Sequence, residues 1–411
     1  MAVKPGYKRT EVGVIPEDWK VSTLGAMAQT SSGTTPARAM QDRYYRNGTI
    51  AWVKTLDLNN SDLAATSERV TELALKETCL RVYPVGTVLV AMYGGFQQIG
   101  RTGLLRLPAA VNQAITAIQP KGDTLISEYL LGTLNYRVGY WRGVASSSRK
   151  DPNISSQDIR NFPIAYTSTT EQRAIAGALS DVDALLGALD QFIAKKRDLK
   201  QAAMQHLLTG QTRLPGFHGE WEETTLGHIG ECIIGLTYKP ENVVRHGLLV
   251  LRSSNVQNGQ LAFDDNVYVS LEVPEHLIAR PGDILICVRN GSRALIGKCA
   301  VINEAAAGVT FGAFMSVYRT KHWRFIFHAF QAHDIQRQIH ENIGATINQI
   351  TNKNLKAFRV KLPPEDEQTA IAEVLSDMDA ELAGLEQRRD KTRALKQGMM
   401  EELLTGRTRL V

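Results

Sequence analysis

The chain has 411 residues, 43% of them hydrophobic and 22% charged, with a formal net charge of +5. That composition suits a globular protein with room for two or three cores and excludes disordered, collagen-like and disulfide-scaffold chains. No apolar run approaches the ~18 residues of a membrane span, and MAVKPGYKRTEVG lacks a signal-peptide core, so a cytoplasmic protein without a membrane partner is expected.

In chain order, Pro16 to Pro36 (PEDWKVSTLGAMAQTSSGTTP) opens a mixed region. The β-type run IAWVKTLDL follows, ending near Lys54 and Thr55, and then PVGTVLVAMYGG reads as a turn before a buried strand. The loop MYGGFQQIGR carries Tyr93, Gln97, Gln98 and Arg101, and the stretch YRVGYWRGVASSSRKDPNISSQ carries Arg142, Arg149 and Lys150.

The period changes at Glu171. Ile175, Leu179, Val182, Leu186, Leu189 and Ile193 recur in alternating steps of four and three, the spacing of a coiled-coil seam, and the stripe drifts on to Leu199, Ala203 and Leu207. Thr169 and Thr170 mark the start. Gly210 marks the stop, as a residue able to adopt the left-handed conformation after a helix. About 39 helical residues make a rod of roughly 58 Å.

The order of elements then begins again. HGEWEETTLGHIGECIIGLTYKP (His218 to Pro240) matches the first opening at Trp19/Trp221, Leu24/Leu226, Gly25/Gly227 and Gly33/Gly235. LLVLRSSNV, with Arg252, Ser253 and Asn255, takes the place of IAWVKTLDL. RPGDILICVRNG and the loop VRNGSRALIGK, with Arg289, Asn290, Arg293 and Lys298, take the place of the turn, strand and loop. INQITNKNLKAFRV pairs with PNISSQDIRNFPI. From Glu367 a second rod keeps Ile371, Leu375, Met378, Leu382 and Leu385, then Leu395, Met399 and Leu403.

Glu171 to Leu214 aligns with Glu367 to Leu410 without a gap at an offset of about 196 positions, with roughly 26 of 44 identical, so the chain is an internal duplication. We expect an α+β protein: two related mixed α/β domains (1–165 and 216–362) joined by two long helices (166–215 and 363–411) that form an antiparallel coiled coil. By count, residues 1–165 carry about +6 and residues 216–362 about +2, while the two helical segments carry about +1 and −4. The basic domains suit phosphate and the helices suit protein.

Catalytic patterns are weak. Gly95 to Thr102 has P-loop spacing, but Arg101 replaces the lysine and strand-like GLLRL follows where a helix is needed. Gly291 to Lys298 has one residue too many and also precedes a strand-like run, CAVIN. No dinucleotide fingerprint opens a helix. Cys79, Cys232, Cys287 and Cys299 lack CxxC spacing and read as reduced, mostly buried thiols. His328, His333 and His340, taken as one helical stretch, lack the i, i+4 spacing of a metal pair. No Asn-Pro-Pro-aromatic motif of an amino-methyltransferase occurs.

The order of domain, helix ending LLTG, related domain and helix ending LLTG, with Trp-x4-Leu-Gly and Glu-Gln-x2-Ile-Ala openings, resembles the specificity subunits of type I restriction-modification enzymes. The resemblance spans nearly the whole chain. It implies two target recognition domains, each reading one half of a split double-stranded DNA site, and helices that space the halves and dock two methyltransferase subunits, with restriction subunits as optional further partners. It implies a non-catalytic chain without its own cofactor. S-adenosylmethionine, Mg and ATP are then expected only on partner subunits. Base edges are read by Arg, Lys, Asn and Gln, and phosphates by other basic groups. The expected DNA-binding residues are accordingly Lys54, Thr55, Tyr93, Gln97, Gln98, Arg101, Arg142, Arg149, Lys150, Arg252, Ser253, Asn255, Arg289, Asn290, Arg293 and Lys298. Lys195, Arg197, Arg388 and Asp390, off the seam, are the expected partner contacts. The rival readings are a stand-alone DNA-binding regulator that uses the coiled coil only to dimerise, and a scaffold that reads no bases.

Overall fold

The computed structural model describes residues 4–95, 97–145, 153–344 and 347–410. It divides into two compact units, Met1–Asp190 with Gln387–Val411, and Gln191–Glu386. Each long helix gives one half to each unit.

In the first unit a five-stranded sheet runs in the order Ala28–Ser32, Ile115–Pro120, Val88–Ala91, Thr102–Leu105, Ser61–Leu63. A four-stranded sheet runs Glu68–Val70, Ile50–Val53, Ala109–Val111, Val82–Tyr83. All four residues of Val88–Ala91 are buried. Val88 and Val90 face a core with Trp19, Tyr129, Trp141 and Phe162, while Leu89 and Ala91 share a core with Val53 and Val111 of the second sheet. A strand covered on both faces reads as a continuous apolar run, which is why VLVA shows no alternation.

The second unit repeats this plan. Its sheets run Glu231–Ile234, Met315–Arg319, Ile284–Cys287, Cys299–Val301, and Val243–Val244, Val267–Val269, Leu248–Leu251, Thr310–Phe311. Ile284 and Ile286 face one core and Leu285 and Cys287 the other, the same alternation 196 positions later. The apolar runs IAWV and LLVL are strands only to Val53 and Leu251. A single 3-10 turn follows each, Thr55–Asp57 and Ser253–Asn255. His328 and His333 belong to two helices, Trp323–Gln331 and His333–Asn342, and not to the one helical stretch expected, because the chain turns extended at Ala332. Of the four cysteines, Cys79 is exposed and the other three are buried, all as free thiols.

The long helices are Thr169–Thr209 and Glu365–Leu404, of 41 and 40 residues. They run antiparallel within each unit. In the first, Asp183 pairs with Lys396 and Asp190 with Arg393; in the second, Asp379 pairs with Lys200 and Glu386 with Arg197. Both sets are related by the same offset of 196. Ile175, Leu179, Leu189, Ile193, Ile371 and Leu375 are buried as the seam required. The drift to Leu199 and Leu395 is not observed: both side chains are exposed, at 48% and 60%. Here each helix turns its apolar face to a domain core through Met204, Leu207 and Leu208, or Met400, Leu403 and Leu404. Part-buried Lys200 and Lys396 carry the helix pairing at this end.

The repeated LLTG phrase ends each helix and also fastens it. Gly210 and Gly406 have φ of 74° and 69°, the left-handed cap that only glycine adopts freely. The chain then returns Arg213 to Glu367 and Arg409 to Glu171, at the start of the other helix. The same arginines lie 5.7 Å over Trp221 and 6.0 Å over Trp19, the tryptophans that open the domains.

Candidate nucleic-acid interface

In each unit three loops leave neighbouring strand ends. In the first, Asn112 N donates to Val53 O, and Met92 N donates to Ala114 O. In the second, Gly312 N donates to Leu251 O, and Val288 N donates to Phe314 O. These bonds set the strand-end turn, the glycine loop and the turn before Ile115 or Met315 side by side. Most of the expected readers in each unit therefore share one rim.

In the first unit the glycine loop is held by its apolar residues, Met92 and Ile99, both buried. Gly100, at φ 77°, lies against the Trp141 ring, leaving no room for a Cβ. That contact brings the short helix Tyr140–Val144, with exposed Arg142, beside the loop. Tyr93 and Gln97 are exposed, while Gln98 and Arg101 are half-buried. Arg101 and Arg142 form no side-chain hydrogen bond or ion pair among the described residues. Arg149 and Lys150 lie outside the described residues. Lys54 is engaged: its Nζ is 2.6 Å from Glu68, which Arg38 also holds at 2.8 Å. The Arg38 hydrogen bond, with Lys54 adding to it, keeps the Glu68 carboxyl below its usual range despite some burial. Thr55 sits half-buried in the turn below the exposed Leu56.

In the second unit Arg252 Nη2 lies 2.8 Å from Asp265, repeating the Lys54–Glu68 arrangement with other residues. Asn255, expected to meet DNA, is fully buried. Its Oδ1 accepts from Arg252 N and its Nδ2 donates to Ala262 O, so it braces the turn as Asp57 does in the first unit. Lys298 Nζ donates to Val256 O at 2.9 Å, which ties it beneath the loop. Both expectations arose because polar residues near a loop look alike in sequence whether they face water or the backbone. Asn290 Nδ2 donates to Ser253 Oγ at 2.9 Å, joining two expected readers from separate loops. Arg293 is exposed and donates to His340 O at 3.1 Å. Arg289 is exposed, and its guanidinium lies 4.8 Å over the Phe314 ring. Phe314, Arg252 and Ser253 line one groove of about 680 Å³ with Tyr238.

Phe314, Asn348 and Gln349 were not anticipated. Asn348 O accepts from Asn290 N, and Gln349 bridges Arg289. An aromatic just before a strand reads as core in sequence, yet Phe314 is 55% exposed.

On the helices, Lys195 and Arg388 are exposed without a side-chain partner among the described residues. Arg197 instead pairs with Glu386 on the other helix, and Asp390 with Arg389 at 2.9 Å. No described group of His, Cys, Asp and Glu could hold a metal ion, and no described helix is long and apolar enough to cross a membrane.

Known proteins share this plan. The specificity subunit of the MjaIX type I restriction enzyme of Methanocaldococcus jannaschii is 30% identical over 185 residues, 44% of this chain and 41% of that one. The MjaVIII specificity subunit of the same organism is 21% identical over 96% of this chain and 94% of its own length. The crystal structure of a type I restriction-modification S subunit from M. genitalium superposes with a TM-score of 0.60 at 16% identity, covering 98% of this chain and 99% of that one. The family described as the type I restriction modification DNA specificity domain matches residues 16–195 and again residues 219–392. The chain belongs to that family and carries its domain twice.

Proposed function

We propose that the chain is the DNA-sequence-reading subunit of a type I restriction-modification assembly. Each unit reads one half of a two-part site on double-stranded DNA. The chain itself performs no chemistry, and S-adenosylmethionine, Mg and ATP belong to its partners. Two methyltransferase subunits dock on the paired helices, with restriction subunits as optional further partners.

The observation that carries this reading is the pairing of a repeated frame with unlike rims. Strands, register and bracing turns recur at offsets of 196 to 200, whereas the rim carries Tyr93, Gln97, Gln98 and Arg101 in one unit and Arg289, Asn290 and Arg293 in the other. Base edges are distinguished by the donors and acceptors offered to them, so like frames with unlike rims suit two different half-sites. A scaffold that reads no bases gives no reason for the rims to diverge.

The test is co-expression with the cognate methyltransferase and mapping of every methylated site. A two-part motif with a fixed gap is expected. A continuous motif, or methyl transfer by the purified chain alone, overturns the reading, and tight sequence-specific binding without any methyltransferase favours a stand-alone regulator.

A further inference from the structure

Resting on the reading that the second domain contacts DNA bases, we propose that Arg289 reads a guanine in the second half-site and that Phe314 positions it. The other cations around that rim are engaged. Arg252 is committed to Asp265, Lys298 to Val256 O and Arg293 to His340 O. Asn255 is buried in its own turn. Among the described residues, the Arg289 guanidinium makes no hydrogen bond or ion pair.

It is held nonetheless. The cation rests 4.8 Å over the face of Phe314, an exposed phenylalanine that contributes little to the core. An aromatic face restrains a guanidinium through its π electrons and uses none of the five N–H donors. The fork is oriented and still free.

The backbone beneath is fixed on both sides. Val288 N and Arg289 N both donate to Phe314 O, at 3.0 and 3.1 Å. Arg289 also bridges to Gln349, and Asn290 N donates to Asn348 O. A fixed base carrying a restrained donor fork is the arrangement that reads an acceptor pair with little ordering cost.

In the major groove guanine presents two adjacent acceptors, N7 and O6. Adenine pairs its N7 with an N6 donor, which would face the fork with like polarity. A phosphate would also accept the fork. It carries no base identity, so a phosphate contact weakens all sequences alike.

The experiment uses the full chain assembled with its methyltransferase partner, a library of duplexes randomised at the motif, and methylation mapping in cells. Arg289→Ala should lose preference at one G·C position in one half of the motif, by about ten-fold or more, with the other half unchanged. Arg289→Lys, which keeps charge without the fork, should keep binding but weaken the same preference. Should Arg289→Ala fail to assemble, Arg289→Lys carries the same test. Phe314→Leu should reduce preference at that position alone, and Phe314→Tyr should restore it. Uniform weakening over all sequences, relaxation at an A·T position, or an unchanged motif overturns the assignment. An unchanged motif in Phe314→Leu overturns the positioning role. If the unmodified complex selects no two-part motif, the functional reading fails instead, which separates the two failures.

Discussion

Arg409 Nε donates to the Glu171 carboxylate at 2.6 Å across 238 positions of chain, and Arg213 meets Glu367 in the same way in the other unit. Glu171 is only 1% exposed. Burial alone would push its carboxyl up, but the hydrogen bonds from Arg409 and Thr167 outweigh it, and the pKa lies below its ordinary 4.5. The last five residues of the described chain thus secure the start of a helix in its middle.

Replacing Arg409 with alanine leaves that buried carboxylate unpaired. Breaking a buried pair costs about 3–5 kcal/mol, and the partial exposure of the arginine brings the expected loss to about 2 kcal/mol. Urea denaturation of the two proteins at neutral pH measures it. A carboxylate with a depressed folded pKa stabilises above its unfolded pKa and stops doing so as pH falls through the folded value. The variant should therefore also show a shallower loss of stability below pH 4.5. Equal stability at pH 7 would mean that the pair is decorative.

His328 gives the second unit an acid sensitivity in the range from pH 6.5 to about 4. Burial, the largest influence, lowers its pKa from 6.5 to about 4, against a weaker upward pull from Asp379. Its Nε2 lies 3.2 Å from Ser376 Oγ. Below pH 6.5 the unfolded chain takes up a proton that the folded one refuses, so stability falls as pH drops from 6.5 to about 4, by up to about 3 kcal/mol. His328→Phe should flatten stability over that window. The equivalent position in the first unit is Gly132, beside Leu179, which carries no titrating side chain.

The docking surface can be tested where the helix pairing is undisturbed. Reversing Lys195 and Arg388 to glutamate should weaken co-purification with the methyltransferase several-fold and leave the methylated motif intact. Reversing Arg197 would confound the result, since it already pairs with Glu386. Unchanged assembly after both reversals would remove the helices as the docking surface.

The spacer role calls for matched insertions. Four residues added after Asp190 and four after Glu386 fall at the boundary between the units, and every ion pair within a unit keeps its register. A single insertion near Gln201 would instead shift Met204, Leu207 and Arg213 against Lys200, so that Lys200–Asp379 and Arg213–Glu367 could not both keep their register. Each added turn lengthens a helix by ~6 Å, nearly two base pairs at 3.4 Å each. Methylation mapping should show the same two half-sites with a gap wider by one or two base pairs. An active variant with an unchanged gap would show that the helices do not set it.

Sequence alone determined the duplication, the two long helices with their glycine stops, the equivalent buried strands and the turn residues between them. These are properties of neighbouring positions: periodicity and a glycine after a helix. Residue order records them directly. It could not say that Asn255 and Lys298 face inward, that Leu199 and Leu395 face outward, or that Phe314 lies under Arg289. Nor could it tell that Arg409 returns to Glu171. Whether a polar group meets water, a carbonyl or a partner depends on which distant strand ends pack beside it, and only the folded chain brings those ends together.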